Sequence, residues 1–223
     1  MKRSVIWVLA ACAWCAGCAT VPFPEPAPFS VEKEAWNGVP ARFEARLAPA
    51  YEQVNAVVVR YRMREMAALG YVAVDRPARS FSVACLNPVG IKLFDVVCDH
   101  GRIEGRFVAP EIAERGGDFA QAAGLDLMRA YFDWSPPAGT PHRIRNGRLV
   151  FAAEDETGRT EYRYAGADGR LVEKVRLEKG RVRWRVEYRE YRQGEDGWIP
   201  SGIVVHNRQY GYRLVVSARE TEP

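Results

Sequence analysis

Residues 144–188 read IRNGRLVFAAEDETGRTEYRYAGADGRLVEKVRLEKGRVRWRVEY. Four dipeptides punctuate this run: Asn146-Gly147, Thr157-Gly158, Asp168-Gly169 and Lys179-Gly180. Each stands between segments in which apolar and charged residues alternate, the pattern of antiparallel hairpins with short turns. Two-residue turns set the register by counting. They pair Ile144 with Leu149, Ala153 with Tyr162, Phe151 with Tyr164, Tyr162 with Val175, Tyr164 with Glu173, Leu177 with Val182, Val175 with Trp184 and Leu171 with Tyr188. One face then collects Phe151, Ala153, Tyr162, Tyr164, Leu171, Val175, Leu177, Val182, Trp184, Val186 and Tyr188. The other collects Glu161 opposite Arg176, Glu178 opposite Arg181, and Arg183, Arg185 and Arg189. Four separately placed turns that agree on one apolar face argue for a meander.

Working outward, strand-like runs occupy 54–63, 65–75, 80–87, 91–99 and 102–108 upstream, and 203–205 and 210–216 downstream. About eleven strands joined by short links cannot lie flat, because strand twist coils so large a sheet toward a barrel. Two segments read as helices. In 40–53, Pro40 suits a first helical position, and Phe43, Leu47 and Tyr51 recur every four residues. In 118–134, Asp118 and Gln121 form a capping box, and Phe119, Ala123, Leu127, Ala130, Tyr131 and Trp134 make a stripe that Pro136-Pro137 ends. The predicted fold is mainly β with a few helices (α+β): an antiparallel half-barrel of about eleven strands with a helical lid or plug, in one domain over 30–223. Two modest helices cannot cover all of its concave face. Phe151, Tyr162, Tyr164, Val175, Trp184, Val186 and Tyr188 are therefore expected to line a cavity suited to long apolar ligands.

The chain has 223 residues, is 48% hydrophobic and 27% charged, and carries a formal charge of +4. That composition fits a folded globular domain and calls for no nucleic-acid partner. The N-terminus differs from the rest. Basic MKR precedes SVIWVLAACAWCAG, too short to span a bilayer and suited to a signal-peptide core over 1–17. The small residues Ala16-Gly17 before Cys18 resemble a bacterial lipobox, in which the cysteine is acylated and becomes the mature N-terminus. Cys15 stands where the lipobox prefers leucine. Leu9-Ala10-Ala11-Cys12 matches it better in letters but leaves a short apolar core, so Cys18 is preferred to Cys12. Loss of Lys2 and Arg3 lowers the charge from +4 to +2. Ala19 rather than Asp, by resemblance to enteric lipoproteins, implies an anchor in the outer membrane with the body facing the periplasm. Residues 18–29 hold the lipidated cysteine and a tether with Pro22, Pro24, Pro26 and Pro28, which favours extended polyproline II.

No constellation points to an enzyme, a metal or a cofactor. His100, His142 and His206 are scattered near turns and strand ends, no pair has metal-ligand spacing, and nucleophile-elbow and phosphate-loop sequences are absent. RVRWRVEYREYR, 181–192, interleaves arginines with aromatics, but the alternation puts them on opposite faces, so bases have no aromatic to stack on. It reads as a solvated outer face, with attraction to anionic lipid headgroups as the alternative. Cys85 and Cys98 fall about 20 Å apart by counted register, too far for a disulfide.

The stretch CLNPVGIKLFD, 85–95, breaks two apolar runs with Asn87, Pro88, Val89 and Gly90, and sets a valine at the turn. With the lipobox, the tether and the β-rich order, SFSVACLNPVGIKLFD resembles the LolA/LolB lipoprotein-carrier superfamily, and LolB-like outer-membrane lipoproteins within it. GWIPSGIVV, 197–205, is similar to a strand start common there. The resemblance implies a half-barrel with a helical lid that binds acyl chains, lipid or lipoprotein cargo, received from a periplasmic carrier. In that family a leucine in the Asn-Pro-x-Gly loop protrudes and helps place the lipoprotein in the membrane, and Val89 takes its position. A non-catalytic scaffold within an envelope export complex is the other reading.

Overall fold

Period-two alternation and turn chemistry dominate this chain, and the structure follows them. The computed structural model describes residues 23–61, 64–113 and 119–219. The strands are β1 (Ala50–Tyr61), β2 (Arg64–Asp75), β3 (Ser80–Leu86), β4 (Lys92–Asp99), β5 (Arg102–Val108), β6 (His142–Arg145), β7 (Arg148–Asp155), β8 (Gly158–Ala165), β9 (Arg170–Glu178), β10 (Arg181–Gln193), β11 (Trp198–Asn207) and β12 (Tyr212–Ala218). They form one antiparallel sheet in the order β5-β4-β3-β2-β1-β12-β11-β10-β9-β8-β7-β6. Two meanders thus run outward from the β1–β12 pair, and the sheet stays open between its edge strands β5 and β6. The predicted half-barrel is present, with twelve strands among the described residues against about eleven expected.

The segment between the two edges supplies the helices α2 (Pro110–Ala113) and α3 (Phe119–Tyr131). α3 lies against the inner side of β4, β5 and β11. Its approach to β5 depends on missing side chains. A Cβ on Gly124 would stand 2.3 Å from Ile103 Cγ2, and one on Gly105 would stand 2.5 Å from Ala120 Cβ. The predicted helix 118–134 is thus seen over 119–131, while Asp118 lies outside the described residues. Phe132 and Trp134 continue inward beyond its end, both buried.

The first predicted helix is corrected. Helical structure covers a 3-10 turn, Lys33–Gly38, and α1 (Val39–Glu44), with Pro40 in its first turn. The four-residue spacing of Phe43, Leu47 and Tyr51 is accidental beyond Glu44. Pro49 cannot supply a helical amide, and the backbone is taken by strand pairing. Trp198 N donates to Arg46 O at 2.7 Å and Ala48 N to Trp198 O at 3.0 Å, and Tyr51 belongs to β1, opposite Val74.

Three register differences separate the counted meander from the observed one, and two of them change which side chains face inward. Ile144 pairs with Leu149 as counted. At the next turn the pairing slips by two, so that Phe151 meets Tyr162. Asp155 causes this: its carboxylate accepts from Thr157 N at 2.9 Å, Thr157 Oγ1 at 2.8 Å and Gly158 N at 3.1 Å, centring the turn on Glu156-Thr157. A slip of two keeps every residue on its face. Bulges do not. Between β8 and β9, Val172 is an extra residue, and between β9 and β10, Arg183 is. Val175 consequently sits opposite Glu161 and Arg185 on the outer face, with Leu177 and Val182. Lys174 and Arg176 turn inward in their place.

The main core lies between the inner face and α1, α3 and residues 132–134. Phe43, Tyr131, Trp134, Leu149, Tyr164, Leu171, Val186, Tyr188 and Ile203 are all essentially inaccessible. Phe43 makes edge contacts with Trp134, Tyr164 and Tyr191 at centroid distances of 6.1, 6.2 and 5.5 Å. Gly105→Val should force α3 off β5 and lower stability by about 1–3 kcal/mol. Urea unfolding measures it, and an unchanged midpoint would show that α3 does not rest on that strand.

Candidate functional site

Six of the seven residues expected to line a cavity do share the inner face, but they are brought together as a packed interior. Phe151, Tyr162, Tyr164, Val186 and Tyr188 are buried. Trp184 is half-buried at the rim, with the Arg129 guanidinium 5.1 Å from its ring centre. Val175 is on the other face. The interior is filled by the end of α3 and the residues after it, which are pinned by hydrogen bonds. Tyr188 Oη donates to Ala130 O at 2.8 Å, Tyr164 Oη to Trp134 O at 3.0 Å, and Trp134 Nε1 to Tyr131 O at 2.9 Å.

The residue that sequence reasoning missed is Lys174. It is 1% exposed. Its Nζ donates to Phe132 O at 2.7 Å and Asp133 O at 3.4 Å, and it stands 5.4 Å from the Trp134 ring centre and 5.7 Å from that of Tyr188. A cation here complements the carbonyl end of α3 and the faces of two aromatic rings. Burial still dominates and lowers its pKa to about 7, against the opposing pull of Asp133 and Glu44, with Arg129 adding to the depression. Mid-helix, α3 is tied through the buried Asp126. That carboxylate accepts from Arg129 Nη1 at 2.5 Å, from Asn207 Nδ2 at 2.7 Å and from Tyr212 Oη.

The Asn87–Gly90 hairpin is built from the side chain of its first residue. Asn87 Oδ1 accepts from Val89 N at 3.1 Å and Ile91 N at 2.8 Å, while Gly90 N donates to Asn87 O at 2.9 Å. Pro88 fixes its own φ, and Gly90 adopts φ +86°, a left-handed conformation that suits glycine. This leaves Val89 79% and Ile91 62% exposed, both standing out from the tip. The counted register put Cys85 opposite Lys92; the longer loop sets Leu86 opposite Lys92, and a bulge at Leu93 then pairs Cys85 with Phe94 and Cys98 with Phe81. The two cysteines are four ladder positions apart, both buried and both free. Burial raises the Cys85 thiol to about 11.

The β1–β2 and β11–β12 connections lie at the same end of the sheet as this tip, since Tyr61 pairs with Tyr212 and Leu69 with Leu86. There the inner face carries a second, small core of Val57, Ala68 and Cys85, flanked by the partly open Val59, Leu93, Phe94 and Leu214. Met66, opposite Val59, is exposed, as is Tyr210. The result is a partly exposed apolar patch, the mouth, beside an apolar tip, with Phe119 of α3 packed on Phe94 at its border, ring centres 5.3 Å apart. Among the described residues no group of His, Cys, Asp and Glu could hold a metal ion, and no helix is long and apolar enough to cross a membrane. Cys18 and Cys12 lie outside the described residues.

The depressed pKa of Lys174 makes stability depend on pH. Between about 7 and the unfolded value of 10.5, the unfolded chain holds a proton that the folded chain has released. Stability should therefore rise with pH across that window, by at most about 1.4 kcal/mol per unit. Lys174→Met should abolish this slope, and by leaving the Phe132 carbonyl without its donor should cost about 1–3 kcal/mol at pH 10, where the wild-type amine is neutral. Denaturant unfolding of both proteins from pH 6 to 10 tests it, and parallel curves would refute the assignment.

No protein-family model matches the chain, and no curated protein does. Solved structures resemble it. One is a domain described as an outer membrane lipoprotein-sorting protein from Vibrio parahaemolyticus, at 12% identity and TM-score 0.47, covering 84% of this chain and 89% of the other. A LolA superfamily protein from Nitrosomonas europaea matches at 7% identity and TM-score 0.48, covering 86% and 93%. A DUF1329 family protein from Desulfovibrio piger matches at 6% identity and TM-score 0.49, covering 86% and 92%.

Proposed function

We propose that this chain is a non-enzymatic, lipid-handling protein of the bacterial cell envelope, anchored through Cys18 in the outer membrane and facing the periplasm. It takes acyl chains of a lipid or lipoprotein at the apolar mouth and exchanges them with the membrane through the Asn87–Gly90 tip. A periplasmic carrier would deliver such cargo. The observation that supports this best is Val89, 79% exposed on a loop whose shape is set by the Asn87 carboxamide. An apolar side chain held rigidly in water serves a surface that receives it. The concave centre, where the sequence suggested an acyl site, is packed, so the proposed site is instead the mouth around Val59, Met66, Leu93 and Leu214. That packing also favours a second reading, a structural lipoprotein whose exposed tip meets a protein.

Vesicle flotation separates the two readings. In a Cys18→Ser background, Val89→Glu should lower co-flotation with phospholipid vesicles about tenfold, the worth of burying one valine side chain, and should leave the unfolding midpoint unchanged. Equal flotation would remove the tip from the mechanism. Native mass spectrometry with added fatty acid should show one bound acyl chain, weakened by Met66→Glu. Failure to retain any chain, together with stoichiometric capture of an envelope protein, would establish the second reading.

A further inference from the structure

The outer face holds a feature unrelated to the mouth. A pocket of about 400 Å³ opens there, lined by Arg145, Arg148, Arg163, Arg185 and Arg189. Two glutamates anchor these arginines. Buried Glu173 accepts from Arg163 at 2.6 Å and pairs with Arg185 at 2.9 Å and Arg148 at 3.1 Å. Glu187 pairs with Arg189, with His206 at 3.3 Å and with Arg185 at 3.8 Å. Arg145 is exposed, and its charge acts on the nearby Glu161. Five guanidiniums face the two lining carboxylates, with Glu161 outside the lining also paired to Arg163 at 2.6 Å, which leaves a net excess of positive charge on rigid strands.

A third carboxylate reaches the pocket from outside the sheet. Glu25 lies 2.8 Å from Arg189 and 3.6 Å from Arg148, yet its side chain is 75% exposed. It belongs to the proline-rich segment, which runs along the outer face. There Phe23 packs on Gly202, and Gly166 N donates to Ala27 O at 3.0 Å. The expected tether is thus docked on the sheet over residues 23–28.

We propose that this pocket is a binding site for a phosphate group, and that Glu25 occupies it in the absence of one. Planar guanidinium forks match phosphate oxygens, and several of them on fixed strands bind it better than a single carboxylate is bound. The pocket is larger than a carboxylate, and Glu25 pairs with Arg148 and Arg189 but not with Arg145, which also lines it. Phosphate and Glu25 share Arg148 and Arg189, so binding of one displaces the other and loosens the tether from the sheet.

The test uses the full chain with Cys18→Ser. Calorimetry with inorganic phosphate and with glycerol 3-phosphate should give saturable binding. Glu25→Gln should tighten it about fivefold and Arg145→Gln weaken it about fivefold, each change corresponding to one charge contact. Both residues are exposed, so folding is not at issue. Vesicles with and without phosphatidic acid separate the sources. Retention on phosphatidic acid that glycerol 3-phosphate relieves identifies a lipid headgroup, whereas binding of the soluble esters without vesicle retention identifies a free phosphate ester. No saturable binding, or equal affinities in both variants, overturns the proposal.

Discussion

An open sheet needs something on its concave side, and whatever goes there buries backbone carbonyls that must find donors. In this protein the carbonyls of Ala130, Phe132 and Trp134 are those groups, and Tyr188, Lys174 and Tyr164 are the donors. The rest of the interior depends on that match. The three donors come from three neighbouring strands, β8, β9 and β10. They hold the end of α3 and set Trp134 against Tyr188, with ring centres 4.8 Å apart. Phe43 then packs against Trp134. Without the donors the same segment would bury unpaired carbonyls at about 1–3 kcal/mol each.

Much of this was readable from residues. The alternation over 144–188 gave the meander, and the Asn146-Gly147 turn gave its register without error, because the turn type is decided by those two residues alone. Thr157-Gly158 misled by two positions because Asp155, outside the dipeptide, captures the turn amides. The face survived, since two is the period of a strand. The bulge at Arg183 was not readable, because β10 alternates without interruption from Val182 to Tyr188. The bulge at Val172 left a mark that was passed over, since Leu171-Val172 and Glu173-Lys174 break the alternation where the extra residue sits. Val175 was accordingly assigned to the wrong face and Lys174 was missed. A lysine flanked by glutamate, valine and arginine reads as solvated surface, and nothing local announces a buried cation.

The candidate site divides in the same way. The projection of Val89 follows from local chemistry, a side-chain-capped loop with proline and glycine at fixed places, so the sequence suffices. The mouth needs tertiary knowledge, because Val59, Met66 and Leu214 come from three strands that the order of the sheet alone brings together. The arginine pocket needs more still, since its occupant, Glu25, lies more than one hundred residues from every lining arginine. The two faces have separate duties. The inner one is sealed by hydrogen bonds that include those of buried Lys174 and Asp126, and the outer one is ordered by ion pairs that salt would weaken.

The segment holding α3 starts from one free edge of the sheet, β5, and finishes at the other, β6. It is therefore a drawstring across the opening rather than a flap hinged on one side. A flap swings without disturbing its frame. A drawstring pulled outward shifts both rims at once, because each end is sewn to a strand. Any widening of the mouth would then register as a change in the curvature of the whole half-barrel, including its outer face, where the arginines and the docked tether lie.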